Sequence, residues 1–136
     1  MTPEQQRLGR DGFSKVAPNA GAAASLFYER LFALDPALRP LFKGDMEAQG
    51  AKLMATIGGA VDSLDRLHEV VPKLRALGRQ HAALGVRDAH YATVAEALLW
   101  TLGQGLGADF TDRAREAWTA CYAALSGEMK AAAAGP

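Results

Sequence analysis

With one cysteine, three histidines and no excess of either charge, this 136-residue chain has few ways to do chemistry. Cys121, being alone, forms no intramolecular disulfide, and a zinc site of four cysteines, or of two cysteines and two histidines, cannot be assembled. Fifteen Lys and Arg cancel fifteen Asp and Glu, and no basic cluster supplies the electrostatic footprint of a nucleic-acid-binding protein. Long apolar runs are missing too. Nothing approaches the roughly 18 residues of a membrane span, and Met1-Thr2-Pro3-Glu4-Gln5 has neither the basic nor the apolar region of a secretory leader. These absences predict a cytoplasmic protein with no nucleic-acid or membrane partner. Aromatics make up only 7% and β-branched runs are few, so strands have little to build on.

What is there favours helix. Ala, Leu, Glu, Gln and Arg are abundant, and the length suits one domain over residues 1–136. Thr2-Pro3-Glu4-Gln5 reads as a capping box with proline in the first turn, and Pro18-Asn19 ends that helix. Asn19 is placed to cap a second helix, whose Ala24, Phe27, Tyr28 and Leu31 form one apolar stripe ending at Leu34. Asp35-Pro36 repeats the start signal for a short segment that runs out near Phe42, before the loop Lys43-Gly44-Asp45. Between Met46 and Leu64, Gln49, Leu53, Ile57, Val61 and Leu64 share a face. Pro72 opens the next helix, with Leu74, Leu77, His81 and Leu84 on its stripe and Gly85 as its stop. Asp88 is expected to cap a long helix carrying Tyr91, Val94, Ala95, Leu98 and Leu102, ended by Gly103, Gly105 and Gly107. Thr111 caps the last, with Ala114, Ala117, Trp118, Cys121, Tyr122 and Leu125. Seven helices in one all-α domain are predicted, with Ala131–Pro136 as a frayed tail.

An imidazole on a core stripe must find a partner, so His81 stands out. The spacing leaves two readings open: a core histidine bonded to a carbonyl, or an iron ligand. A single neutral imidazole with no second ligand nearby suits a cofactor that brings its own four nitrogens, namely haem. His90 and His68 do not pair with His81 along one helix, and both read as surface or capping residues. Gln49 and Tyr28 place two hydrogen-bond donors on otherwise apolar stripes. They either satisfy backbone carbonyls or, over a haem, stabilise the partial negative charge of bound dioxygen. Lys52, rotated off the stripe, is either solvated or within reach of a haem propionate. Gly103-Gln104-Gly105-Leu106-Gly107-Ala108 fits the dinucleotide-binding glycine pattern but follows a helix where that motif needs a strand.

Pro36 and Phe42 flank a short segment, Gln49 precedes Lys52-Leu53-Met54, and Leu77-Gly78-Arg79-Gln80-His81 closes a helix. With His90-Tyr91, Val94, Ala117-Trp118 and Tyr122, this pattern resembles the globins along nearly the whole chain. It is most similar to bacterial single-domain haemoglobins related to flavohaemoglobin haem domains and to neuroglobin-like bacterial globins. The resemblance implies a three-on-three helical sandwich around a haem b pocket, with a short third helix and little or no helix after it. His81 would be the proximal iron ligand, and Phe42 would pack on the haem. Tyr28, Gln49 and Leu53 would form the distal wall; Val86 and Val94 would line the proximal side. It further implies reversible binding of dioxygen, and of CO and NO, for oxygen transport or storage by a monomer or weak homodimer. Glutamine at Gln49, where a second ligand histidine would stand, argues against a six-coordinate ferrous haem. The alternatives are nitric oxide dioxygenation with a separate reductase, since the chain is expected to hold no reductase portion of its own, and a haem-free sensor or interaction module. A flavohaemoglobin-type proximal network needs a tyrosine, which Tyr91 provides, and a late glutamate; Glu128 comes earlier than that pattern wants.

Overall fold

The computed structural model describes residues 1–134, and every regular element among them is helical. Helix α1 (Pro3–Val16) begins as its sequence dictates: the Thr2 hydroxyl accepts from the Gln5 amide at 3.1 Å, and the Gln5 side chain accepts from the Thr2 amide at 3.0 Å. A 3-10 turn at Ala17–Asn19 leads into α2 (Ala20–Leu34). Asn19 occupies the cap position but makes no side-chain cap bond. Asp35 does cap, accepting from the Ala37 amide at 3.1 Å, and opens Pro36–Leu41. That segment is a 3-10 helix, not α, and its inner Pro40 has no N–H to continue an α-helical ladder.

Asp45 caps α3 (Met46–Asp62) by accepting from Glu47 at 2.9 Å, and Leu64 falls beyond it in a 3-10 segment, Leu64–Glu69. Helix α4 (Val71–Ala83) carries Pro72 in its first turn and gives way to Gly85 at φ +99°. Helix α5 (Asp88–Leu106) is capped by Arg87, not Asp88, whose own backbone is already helical. It also continues through Gly103 and Gly105 and stops only at Gly107, φ +54°. Packing explains the continuation: Val16 lies against Gly105 and Phe110 against Gly103. Thr111 caps α6 (Asp112–Ala134), accepting from the Ala114 amide at 3.2 Å. Ala131–Ala134, expected to fray, extend α6, as the helix propensity of alanine favours. Gly135 and Pro136, the rest of that expected tail, lie outside the described residues.

Helix α4 packs on α6, α1 on α6, and α2 on both α5 and α3. Gly50 lets α3 cross α2 closely, since a Cβ there would come within 2.9 Å of the Ala24 methyl. Two apolar clusters result. One joins Val16, Val61, Leu64, Leu102, Trp118 and Cys121; the other joins Phe27, Tyr28, Leu31, Leu38 and Ala97. Leu98 packs against both. No described helix is long and apolar enough to cross a membrane.

Candidate functional site

Between α3, α4, α5 and α6 lies an apolar cleft of about 910 Å³, counting solvent at its mouth. Leu53, Ile57 and Val61 line it from α3, Leu74, Leu77 and His81 from α4, and Tyr91, Val94 and Leu98 from α5. Val86 closes the corner between α4 and α5, and Cys121, Tyr122, Leu125 and Met129 contribute from α6.

Of the two imidazoles that line the cleft, His81 and His90, His81 is the one whose bonding leaves Nε2 unprotonated: the His90 Nδ1 accepts from the Arg87 amide, which puts the His90 proton on Nε2. The His81 Nδ1 lies 2.7 Å from the Leu77 carbonyl oxygen. A carbonyl only accepts, so Nδ1 must carry the proton and Nε2 keeps a free lone pair. Anchoring one ring nitrogen on a carbonyl is also how ligand histidines are oriented in metal sites. Among the described residues no three His, Cys, Asp or Glu are grouped so as to hold a metal ion. One imidazole with a free lone pair in an apolar cleft fits a macrocycle that supplies the remaining ligands, and is too few for a bare ion.

The aromatic cluster next to the cleft holds the second set of expected residues. Tyr28 is buried, with its ring 5.1 Å from that of Phe27, 5.3 Å from Phe42 and 6.0 Å from Phe32. Burial raises the pKa of its hydroxyl, and the nearby Gln49 side chain opposes the rise. The phenol thus stays a neutral donor at ordinary pH. Leu53 and Val94 pack against this cluster and also line the cleft, which makes them the hinge between the two.

The structure thus gathers His81, Leu53, Val86, Tyr91 and Val94 around one cleft, while Tyr28 and Phe42 belong to the adjoining cluster. Gln49, expected on an inward stripe, is exposed, because that stripe only becomes buried toward Val61. Lys52 is exposed as well. His90 caps as expected, its Nδ1 accepting from the Arg87 amide at 2.9 Å, but it also lines the cleft. His68 is exposed.

Sequence reasoning missed Met129, although Trp118, Cys121, Tyr122, Leu125 and Met129 continue one helical stripe. It also named Leu74 and Leu77 only as core, when they stand two turns and one turn before His81 on its own face. On the proximal side the hydroxyl of Tyr91 is buried without a hydrogen-bond partner. The Tyr122 hydroxyl donates to the Tyr91 carbonyl at 2.8 Å, and Glu128 is taken by Arg75 at 3.1 Å.

This arrangement is that of an all-α haem-pocket fold. The chain belongs to the globin family, whose model matches residues 25–129. It is 32% identical to a neuroglobin of Danio rerio over 95% of this chain and 90% of that one. A flavohemoprotein of Bordetella parapertussis is 29% identical over 93% of this chain but only 32% of its own length. An engineered carbene transferase, derived from a nitric oxide dioxygenase candidate of Rhodothermus marinus, superposes with a TM-score of 0.88 at 25% identity, covering 98% of this chain and 94% of that one. A hexacoordinated heme protein from an anhydrobiotic tardigrade reaches the same TM-score, 0.88, at 15% identity, with 99% and 96% covered, and bears on the fold alone.

Proposed function

We propose that this globin holds haem b through His81 and binds dioxygen reversibly, with CO and NO as further ligands, in oxygen storage or transport. The observation that carries the reading is the His81 imidazole, anchored on the Leu77 carbonyl with Nε2 bare in an apolar cleft. Leu53, Val86, Val94 and Phe42 would pack on the ring, and exposed Lys52 would meet a propionate. Non-covalent haem fits a chain whose single cysteine cannot supply the paired thioethers of a c-type attachment. When bound, haem supplies the ferrous iron at which the gases bind.

The protein's own residues then set the outcome. Tyr28, neutral and buried, donates a hydrogen bond to a polar ligand in the distal space, and Gln49, whose side chain lies near that hydroxyl, helps to orient it. His81 keeps its Nδ1 proton because its partner is a neutral carbonyl, so the imidazole gains little electron-donating character.

A second reading, nitric oxide dioxygenation with a separate reductase, is favoured by the likeness to the Bordetella and Rhodothermus proteins. Three details weigh for the carrier instead: the carbonyl on His81, the unpartnered Tyr91 hydroxyl, and Glu128 engaged by Arg75. Among the described residues no carboxylate is hydrogen-bonded to His81 or to Tyr91. The test is to mix the oxygenated protein with successive portions of NO in the presence of a flavin reductase and NADH. The carrier reading expects a single conversion to nitrate per protein with slow recovery; repeated rapid turnover would establish the enzyme instead. A cytoplasmic setting accords with a single free cysteine.

A further inference from the structure

Helix α4 carries the cleft imidazole and touches α6 at one point of unusual closeness. A Cβ at Gly78 would overlap the Met129 carbonyl oxygen and stand 2.7 Å from its Cα and 2.8 Å from its carbonyl carbon. At Gly9, Gly12, Gly50 and Gly58 an added Cβ would meet only side-chain atoms. Gly78 alone, among the described glycines, lies against the backbone of another helix, which cannot rotate away as a side chain can.

Leu74, Gly78 and His81 fall at i, i+4 and i+7, so the contact lies on the face that presents the imidazole to the cleft. The ring is tied to the same helix by the bond from Nδ1 to the Leu77 carbonyl, so it cannot swing independently of α4. Met129, the residue touched, itself lines the cleft. The depth at which α4 sits on α6 is therefore passed directly to Nε2.

We propose that Gly78 is a positioning residue that sets how far His81 reaches into the cleft, a role that rests on the haem reading above. With an added methyl, α4 must recede from α6 by on the order of an ångström to restore ordinary contact. Arg75, which joins α4 to α6 through Glu128 at the surface, does not set this depth.

The test uses the full chain reconstituted with haem, as wild type, G78A, R75A, H81G and G78A/H81G. In G78A the ferrous iron–histidine stretching frequency should shift, and haem transfer to an excess of an apoglobin scavenger should quicken by about tenfold or more. R75A should leave the stretching frequency at the wild-type value. In the H81G background free imidazole replaces the tethered ring, so H81G and G78A/H81G should bind imidazole with equal affinity.

If G78A loses haem equally in both backgrounds, or shifts nothing, Gly78 serves the fold alone and the proposal fails. Should G78A not fold, the R75A result still decides: a shift there would mean that general α4–α6 attachment, not the Gly78 contact, sets the reach. Absence of haem binding by wild type would instead overturn the haem reading, and this proposal with it.

Discussion

Tyr28 contributes one hydroxyl to a cluster that is otherwise hydrocarbon, and its value as a donor lies in that isolation. Burial keeps it protonated and shields its hydrogen bond from water. Replacing it by phenylalanine keeps the ring contacts with Phe27, Phe32 and Phe42 and removes only the O–H. Losing a hydrogen bond to a partly charged ligand costs about 1.5 to 3 kcal/mol, so Y28F should release dioxygen roughly ten- to a hundredfold faster. Stopped-flow displacement by CO measures this, and an unchanged rate would remove Tyr28 from the distal role. Q49A should change the rate less, since Gln49 is exposed and acts through Tyr28. The sequence made Tyr28 and His81 legible because each sits at a defined period on an apolar face. Exposure of Gln49 was not legible: periodicity tells which residues share a face, not where along the helix that face passes beyond its neighbour.

Among the elements, the cleanest contrast is between two helix starts that look alike in sequence. Thr2 closes a complete capping box, whereas Asn19 makes no side-chain cap bond. T2A should therefore lower stability by about 1 kcal/mol, and N19A should lower it by well under half of that, as read from urea unfolding. Equal losses would mean that the caps act through something other than these hydrogen bonds. Helix starts were readable from local chemistry because caps and prolines act within one turn. Helix ends were not: glycine at 103 and 105 costs roughly 1 kcal/mol each against alanine, yet contacts with Phe110, in the turn beyond α5, and with Val16, on α1, carry α5 past both. The same holds for the Pro36–Leu41 segment, where Pro40 decides between 3-10 and α.

For the molecule as a whole, burial of weak acids ties stability to alkaline pH. Desolvation pushes the Cys121 thiol from 9.0 up to about 11, and raises the pKa of Tyr28, Tyr91 and Tyr122 as well. The fold favours each neutral form, so this stability is fully present below the unfolded pKa. For Cys121 it is lost as pH climbs from 9.0 toward about 11, where the unfolded chain is already thiolate. The Cys121 share is on the order of 2 kcal/mol. Urea midpoints should fall across that range, and C121A, whatever its baseline, should fall less steeply; a parallel slope would show that Cys121 does not titrate this way.

The cleft is likewise a property of the assembled molecule. Each lining stripe was visible in the sequence, but that α3, α4, α5 and α6 turn those stripes toward one space depends on close crossings such as Gly50 on Ala24. His81 acquires its meaning only there. The most direct measurement is the absorption spectrum of the haem-reconstituted protein, reduced by dithionite under nitrogen and then exposed to oxygen, for wild type and H81A. The account predicts a Soret band, a five-coordinate ferrous form and a stable oxygenated spectrum in wild type, with the histidine-ligated ferrous signature lost in H81A. No Soret band, or an unchanged ferrous spectrum in H81A, would contradict it.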